Sequence, residues 1–373
     1  MELANPFIIH GYHSPHYFCD REEETKLLTN AFTNGNNVAL ISPRRLGKTR
    51  LIYHCMQQEN IKENYYTFLV DIYATKNLQE FVYELGRAVV DVLKSRGRKA
   101  WETFVACLTS LRGSLSFDMN GKPEWTMSLG EIATPTVTLD EIFRYLESAD
   151  RHCIVAIDEF QAIAAYPEKN VEALLRTRIQ HCRNCNFIFA GSERHVMTEM
   201  FLSASRPFYQ STKMITIGPI DFERYADFAQ QLFAEYGKKI EREAVAEIYN
   251  RYDGVTWYVQ SVLNSLFSTT PTGGRCDVAD VERAVEQAVM QQSFAYSSLL
   301  YQLPAKQKEV LMAICREGKA RNISSKPFLQ RHHLTASSVQ AAVKALIEKD
   351  FLTSDLGTYS VYDKFFADWL LKQ

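Results

Sequence analysis

Residues 38–41, Val-Ala-Leu-Ile, form a short unbroken apolar run, and the next eight residues are Ser42-Pro43-Arg44-Arg45-Leu46-Gly47-Lys48-Thr49. The apolar run reads as a buried strand. Lys48-Thr49 opens a helical pattern, so the eight residues form a loop between a strand and a helix. Few folds tolerate that junction. Backbone N–H groups of such a loop and of the following helix N-terminus converge on an anion. Gly47 keeps a side chain out of the space where backbone and anion meet. Lys48 adds a point charge suited to β- and γ-phosphates, and the Thr49 hydroxyl suits Mg²⁺. A phosphate loop of this kind ordinarily begins with glycine; Ser42 stands there, and its small side chain is expected to preserve the turn. Arg50 follows on the first helical turn, beside the phosphates.

Further apolar runs follow at Tyr66–Asp71, Cys153–Asp158, Asn186–Ala190 and Met214–Ile217, separated by helical stretches. Continuous apolar strands alternating with helices predict an α/β fold, a parallel sheet covered by helices on both faces. A long helical stretch, roughly 78–111, and a polar segment around Asn120-Gly121, a hairpin turn, lie between the second and third strands. They read as an insertion, about 77–137, within the sheet domain. The domain itself spans 1–220.

The strand 153–158 ends in Asp158-Glu159. In a phosphate-loop enzyme a strand-end Asp holds Mg²⁺ and a carboxylate one residue on polarises the attacking water. Asp158 is therefore the second metal-binding candidate beside Thr49, and Glu159 the catalytic base beside Lys48.

Residues 221–300 are helical throughout, with breaks at Asp253-Gly254 and around Pro271, and read as a helical lid. Residues 301–373 read as helix, helix, helix and two short strands, the order of a winged helix. The span 303–373 carries 11 Lys or Arg against 7 Asp or Glu, a net +4. Its expected recognition helix, 335–350, has two lysines, no arginine and one amide, Gln340. DNA and a protein partner both stay open for this domain.

Formal net charge is -2, which gives the molecule as a whole no strong attraction for nucleic acid or anionic lipid. No apolar run reaches the length of a membrane span, and the N-terminus lacks the pattern of a signal peptide. Eight scattered cysteines read as reduced thiols and, with that N-terminus, point to the cytoplasm. Cys182 and Cys185 have the spacing of half a zinc site, but no second pair completes it. A helix end running into a buried strand accounts for them.

Pro43-Arg44-Arg45, Gly47-Lys48-Thr49, the Ile157-Asp158-Glu159-Phe160-Gln161 strand end and Gly191-Ser192 together resemble the archaeal-type ATPases of the AAA+ superfamily, near its origin-recognition and STAND branches. Asn5-Pro6-Phe7 and Phe18-Cys19-Asp20-Arg21-Glu22 resemble the family's N-terminal stretch, and residues 359–369 resemble its closing winged-helix segment. The resemblance implies ATP as the nucleotide, with Phe18 and Arg21 beside it. Ser192 is implied as a polar sensor of the γ-phosphate, and Arg206 as an arginine finger acting on a neighbouring copy in a homo-oligomer. Gly254 falls where relatives carry a lid motif, but Thr256 replaces its proline and no arginine is present. The implied function is Mg-dependent ATP binding and hydrolysis driving a conformational switch. A nucleotide-regulated DNA-binding protein and a scaffold with an inactive nucleotide site are the alternatives.

Overall fold

The computed structural model describes residues 3–93, 98–111, 115–117, 123–125, 132–355 and 357–373. The chain divides into two compact units, His10–Asp221 and, together, the segment up to Ile9 with Phe222–Gln373.

In the first unit, strands β1 (Val38–Ile41), β2 (Tyr65–Asp71), β3 (Leu115–Phe117), β4 (Pro123–Trp125), β5 (His152–Asp158), β6 (Cys185–Gly191) and β7 (Lys213–Thr216) follow in chain order. Five of them make a parallel sheet in the order β2-β5-β6-β1-β7. The central strands β1 and β6 are buried at every position, whereas the edge strand β2 alternates. That is the pattern of a sheet covered on both faces. Successive side chains alternate between two cores. Val38, Leu40, Ile154, Ala156, Ile188 and Ala190 meet Leu28 and Phe32 of helix Glu22–Thr33 and Leu51 and Ile52 of helix Lys48–Met56. Ala39, Ile41, Val155, Ile157, Phe187 and Phe189 face helices Leu78–Leu93 and Pro135–Ser148. Ile41 pairs with Gly191 and with Thr216, so the C-terminal ends of β6, β1 and β7 lie level.

The single helical stretch expected over 78–111 is instead two helices, Leu78–Leu93 and Arg98–Cys107, followed by a short turn of helix at Thr109–Leu111. Trp101 and Phe104 are buried in the same core as the sheet, and Phe104 meets Tyr145 edge-on at 5.0 Å. Strands β3 and β4 pair antiparallel; the Asn120-Gly121 turn expected between them lies outside the described residues. Helix Val171–His181 ends at Cys182 and β6 starts at Cys185, both thiols buried. Among the described residues, no cluster of His, Cys, Asp and Glu is placed to hold a metal, and no helix is long and apolar enough to cross a membrane.

The second unit starts with helices Phe222–Glu235, Arg242–Arg251, Thr256–Thr269, Val278–Gln291 and Ser293–Tyr301, with β8 (Lys239–Ile240) parallel to β9 (Arg275–Cys276). Gly254 ends the second helix at φ +64°, where an added Cβ would lie 2.6 Å from the Tyr249 ring. A winged helix follows: helices Ala305–Glu317, Lys326–Arg331 and Ala336–Glu348, then an antiparallel sheet of β10 (Ala320–Arg321), β12 (Thr358–Val361) and β11 (Leu352–Asp355). Helix Lys364–Leu370 closes the chain.

Sequence patterning separates 221–300 from 301–373 and assigns the first residues to the sheet domain. The contacts group them differently. Asp368 accepts from Arg251 at 3.2 Å and from the Tyr252 hydroxyl at 2.8 Å. Asp253 pairs with Lys319 and Lys364, both at 2.6 Å. Phe7 is fully buried against Phe233 and Phe267, Asn5 donates to the Asn264 carbonyl at 2.9 Å, and Asn264 donates to the Phe7 carbonyl. Phe7 is one isolated aromatic with no periodic pattern around it, so nothing local announces its destination.

Candidate active site

The site grows from the C-terminal edge of the sheet. Ser42 leaves β1 with its N–H donating to the Gly191 carbonyl at 3.2 Å, which ties the start of the loop to the end of β6. Ser42 is fully buried and its hydroxyl turns back to the Pro43 carbonyl, so serine is accommodated where glycine is usual. Arg45 and Gly47 both take left-handed backbone, φ +70° and +90°. A Cβ on Gly47 would meet nothing within 4 Å: it would stand in the open hollow of the loop. Helix Lys48–Met56 then begins without a side-chain cap on its first N–H groups. A helix N-terminus without a side-chain cap, beside open space at Gly47, has the form of an anion cradle.

Lys48 is buried and lies between two carboxylates, 2.9 Å from Asp158 and 3.0 Å from Glu159. The Thr49 hydroxyl donates to the second Asp158 oxygen at 2.5 Å. The chain turns sharply after β5: Glu159 sits at φ +55°, a conformation costing of order 1 kcal/mol or more in a non-glycine residue. That turn brings Oε1 of Glu159 to Lys48. It brings Oε2 to the Ser192 hydroxyl at 2.6 Å and the Gln161 amide at 2.5 Å. Burial alone would raise the Glu159 pKa. The Lys48 charge and the donated hydrogen bonds outweigh it and hold the carboxyl below the usual glutamate value. Asp158, Glu159, Lys48, Thr49 and Ser192 therefore converge.

In the sequence Gln161 is only the last residue of the strand-end motif, with no role given to it. It is buried in the apolar run Phe160–Ala165, its amide nitrogen on Glu159 and 3.4 Å from Ser192. A lone amide in an apolar turn, two residues after the acid pair, is the signal that could have marked it. Arg44 donates to Ser192 at 3.4 Å and lies over the Tyr73 ring at 5.5 Å. Pro43 and Thr49 are exposed, Leu46 is buried, and Arg45 and Arg50 are half-buried.

The remaining candidates have partners of their own. Arg21 is buried and donates to Glu24 at 2.6 Å, to the Gly218 carbonyl at 2.6 Å and to the Leu46 carbonyl of the loop at 3.4 Å. It holds the loop from behind. Phe18 stacks on His54 of the loop's own helix at 4.3 Å, and Tyr12 bonds the same imidazole at 3.0 Å. Arg206 is engaged by Glu172 and, at 3.3 Å, by Glu199. Its guanidinium is paired within its own chain.

Comparison with known proteins places these features in a lineage. A family described as an ATPase domain predominantly from Archaea matches residues 18–262, and a probable winged helix domain matches residues 294–372. A Walker-type ATPase of Pyrococcus abyssi superposes with a TM-score of 0.66 at 18% identity, over 98% of this chain and 99% of that one. The ORC2 protein of Aeropyrum pernix, in ADPNP and ADP complexes, gives 0.62 at 14% identity, over 98% and 95%. The ORC1 protein of the same organism, in complex with DNA, gives 0.53 at 14%, over 99% and 96%. At such identities these likenesses establish a shared fold. No curated protein matches the chain at a significant level of sequence similarity.

Proposed function

Because this chain belongs to the family of ATPase domains found predominantly in Archaea, we propose that it binds ATP at Ser42–Thr49 and hydrolyses the γ-phosphate with Glu159 as base. The observation that carries the reading is the convergence of one buried lysine, two strand-end carboxylates and two polar clamps on a loop with an anion cradle.

Loop N–H groups would hold the β-phosphate, and Lys48 would exchange its carboxylate partners for phosphate oxygens, placing its charge where the transition state needs it. Glu159 would then be released from Lys48 at Oε1 while Ser192 and Gln161 keep Oε2 fixed. The freed oxygen can accept the proton of an attacking water. Thr49 and Asp158 offer adjacent hard oxygen donors, the set Mg²⁺ takes alongside substrate phosphates. Bound there, Mg²⁺ would neutralise phosphate charge. Arg206 pairs with Glu172 and Glu199 in this chain, and the hydrolysis proposed here does not call on it.

Nucleotide exchange is proposed to drive a switch in which the second unit responds to the first. Small-angle scattering that gives one profile for the ATP-bound Glu159→Gln variant and the ADP-bound native chain would exclude it. Five of the eleven Lys and Arg residues of the winged helix are engaged by carboxylates, which counts against DNA as its partner although the domain keeps a net +4. Lys319 and Lys364 are neutralised by Asp253, Arg331 by Glu317, Lys372 by Glu286 and Lys306 by Glu309. A protein partner is the reading kept for this domain. Salt-sensitive retention on duplex DNA would reverse that choice.

The deciding experiment is phosphate release from Mg-ATP by the native chain, Lys48→Ala and Glu159→Gln. Loss of turnover in both, with ATP binding kept only in Glu159→Gln, is expected. Loss of the base should lower turnover about 10²- to 10⁴-fold. Native binding without turnover would leave a nucleotide-binding scaffold.

A further inference from the structure

Arg21 lies at an unusual junction. Asp20 and Arg21 are consecutive non-glycine residues in left-handed backbone, φ +52° and +68°. Such a pair persists only where the surroundings enforce it. Its effect is to turn the Arg21 side chain inward, where it is 5% exposed. One guanidinium nitrogen, Nη1, donates to Glu24 on the helix that Arg21 itself begins. The other, Nη2, donates both to the Leu46 carbonyl, next to Gly47 and Lys48, and to the Gly218 carbonyl. Gly218 lies just past the end of β7 (Lys213–Thr216) and three residues before Asp221, where the chain leaves this unit.

We infer that Arg21 is a positioning residue that couples the backbone of the phosphate loop to the exit segment 217–221. The inference rests on the nucleotide reading of the loop given above. Phosphates gripped by the loop's N–H groups fix the peptide planes of 46–48. A fixed Leu46 carbonyl fixes the Nη2 that it shares with Gly218, and a buried guanidinium has no solvent to yield into. A change at the Leu46 carbonyl, 3.4 Å from Nη2, is thereby passed to the Gly218 carbonyl, 2.6 Å from the same nitrogen. A planar fork with donors in set directions can join them while Glu24 anchors its other arm. A lysine has one nitrogen on a flexible stem and cannot reproduce that three-way geometry.

Amide hydrogen exchange of the full chain with and without Mg-ADP tests this directly. In the native chain, ADP should slow exchange both in the loop, 42–49, and in the exit segment, 217–221. In Arg21→Lys at saturating ADP, the loop response should remain and the exit response should disappear. An exit response as large in Arg21→Lys as in the native chain would overturn the coupling, and so would a native chain whose loop responds while its exit segment does not. No ADP response at the native loop would remove the nucleotide reading itself, and this inference with it. If Arg21→Lys does not fold, Glu24→Gln loosens the anchoring arm and should weaken the exit response without abolishing the loop response. An unchanged exit response in that variant would likewise overturn the proposal.

Discussion

Replacing Ser192 by alanine removes one of the two donors on Oε2 of Glu159, along with two longer contacts, at 3.4 Å, that the hydroxyl accepts from Arg44 and Gln161. The lost bond is a 2.6 Å hydrogen bond from a hydroxyl to a carboxylate. Bonds to charged groups contribute about 1.5–3 kcal/mol. Gln161 stays on the same oxygen and Lys48 on the other, so the lower end of that range applies. Since about 1.4 kcal/mol corresponds to one pKa unit, the Glu159 pKa should rise by roughly one unit. The sign follows from the environment: Glu159 is held below its ordinary value by its cation and donors, against burial. Losing a donor shifts the balance toward the protonated acid, which is no base. Phosphate release measured from about pH 3 to 8.5 should show the acid limb of kcat/KM moving up by about one unit. Ser192→Thr, which keeps a hydroxyl, should restore the native limb. A uniform fall in rate at every pH, with the acid limb in place, would refute the claim that Ser192 acts through Glu159.

Gln161→Leu should move the same limb in the same direction, and a cycle with Ser192→Ala should be non-additive, because both donors meet one oxygen. Lys48→Ala leaves two neighbouring carboxylates, one of them buried, without their cation; urea denaturation should show a loss of about 3–5 kcal/mol at neutral pH. The Glu159 share of that loss shrinks as pH falls through its depressed native pKa, since the stabilisation it measures exists only where the carboxyl is ionised. Phe7→Ala should destabilise the second unit by about 3–5 kcal/mol, read as a lower melting transition, because the ring is fully buried among aromatics. An unaltered transition would place residues 3–9 outside that core. Gly254→Ala should destabilise by about 1–3 kcal/mol, both for its left-handed backbone and for the Tyr249 ring in the way of a Cβ.

That the loop and the acid pair would meet was legible in the sequence, because the loop follows one strand of the parallel sheet and the acids end another. The five sheet strands were legible because a sheet covered on both faces needs unbroken apolar runs. The winged helix was legible from its order of elements. What escaped depends on geometry that no local pattern encodes. Gln161 reaches Glu159 only because the backbone reverses at φ +55° between them. Arg21 is implied by the resemblance to lie beside the nucleotide, and its partners, 25 and 197 residues away, could not be read from any local pattern. Arg251 and Asp368, 117 positions apart, join the helical segment to the winged helix through a contact that no local pattern announces.

The order of strands also sets a width. β6 lies between β1, which delivers Lys48, and β5, which delivers Asp158, so their axes stand two strand spacings apart, about 9.6 Å. That gap is the floor on which phosphates would rest, and its level is set by Gly191 at the end of β6. A Cβ there would run into Met197 and come within 2.7 Å of the Gln161 carboxamide oxygen. Adding one carbon at Gly191 would lift the floor and push Gln161 off Glu159, so the reactive geometry depends on a residue that contributes no functional group at all.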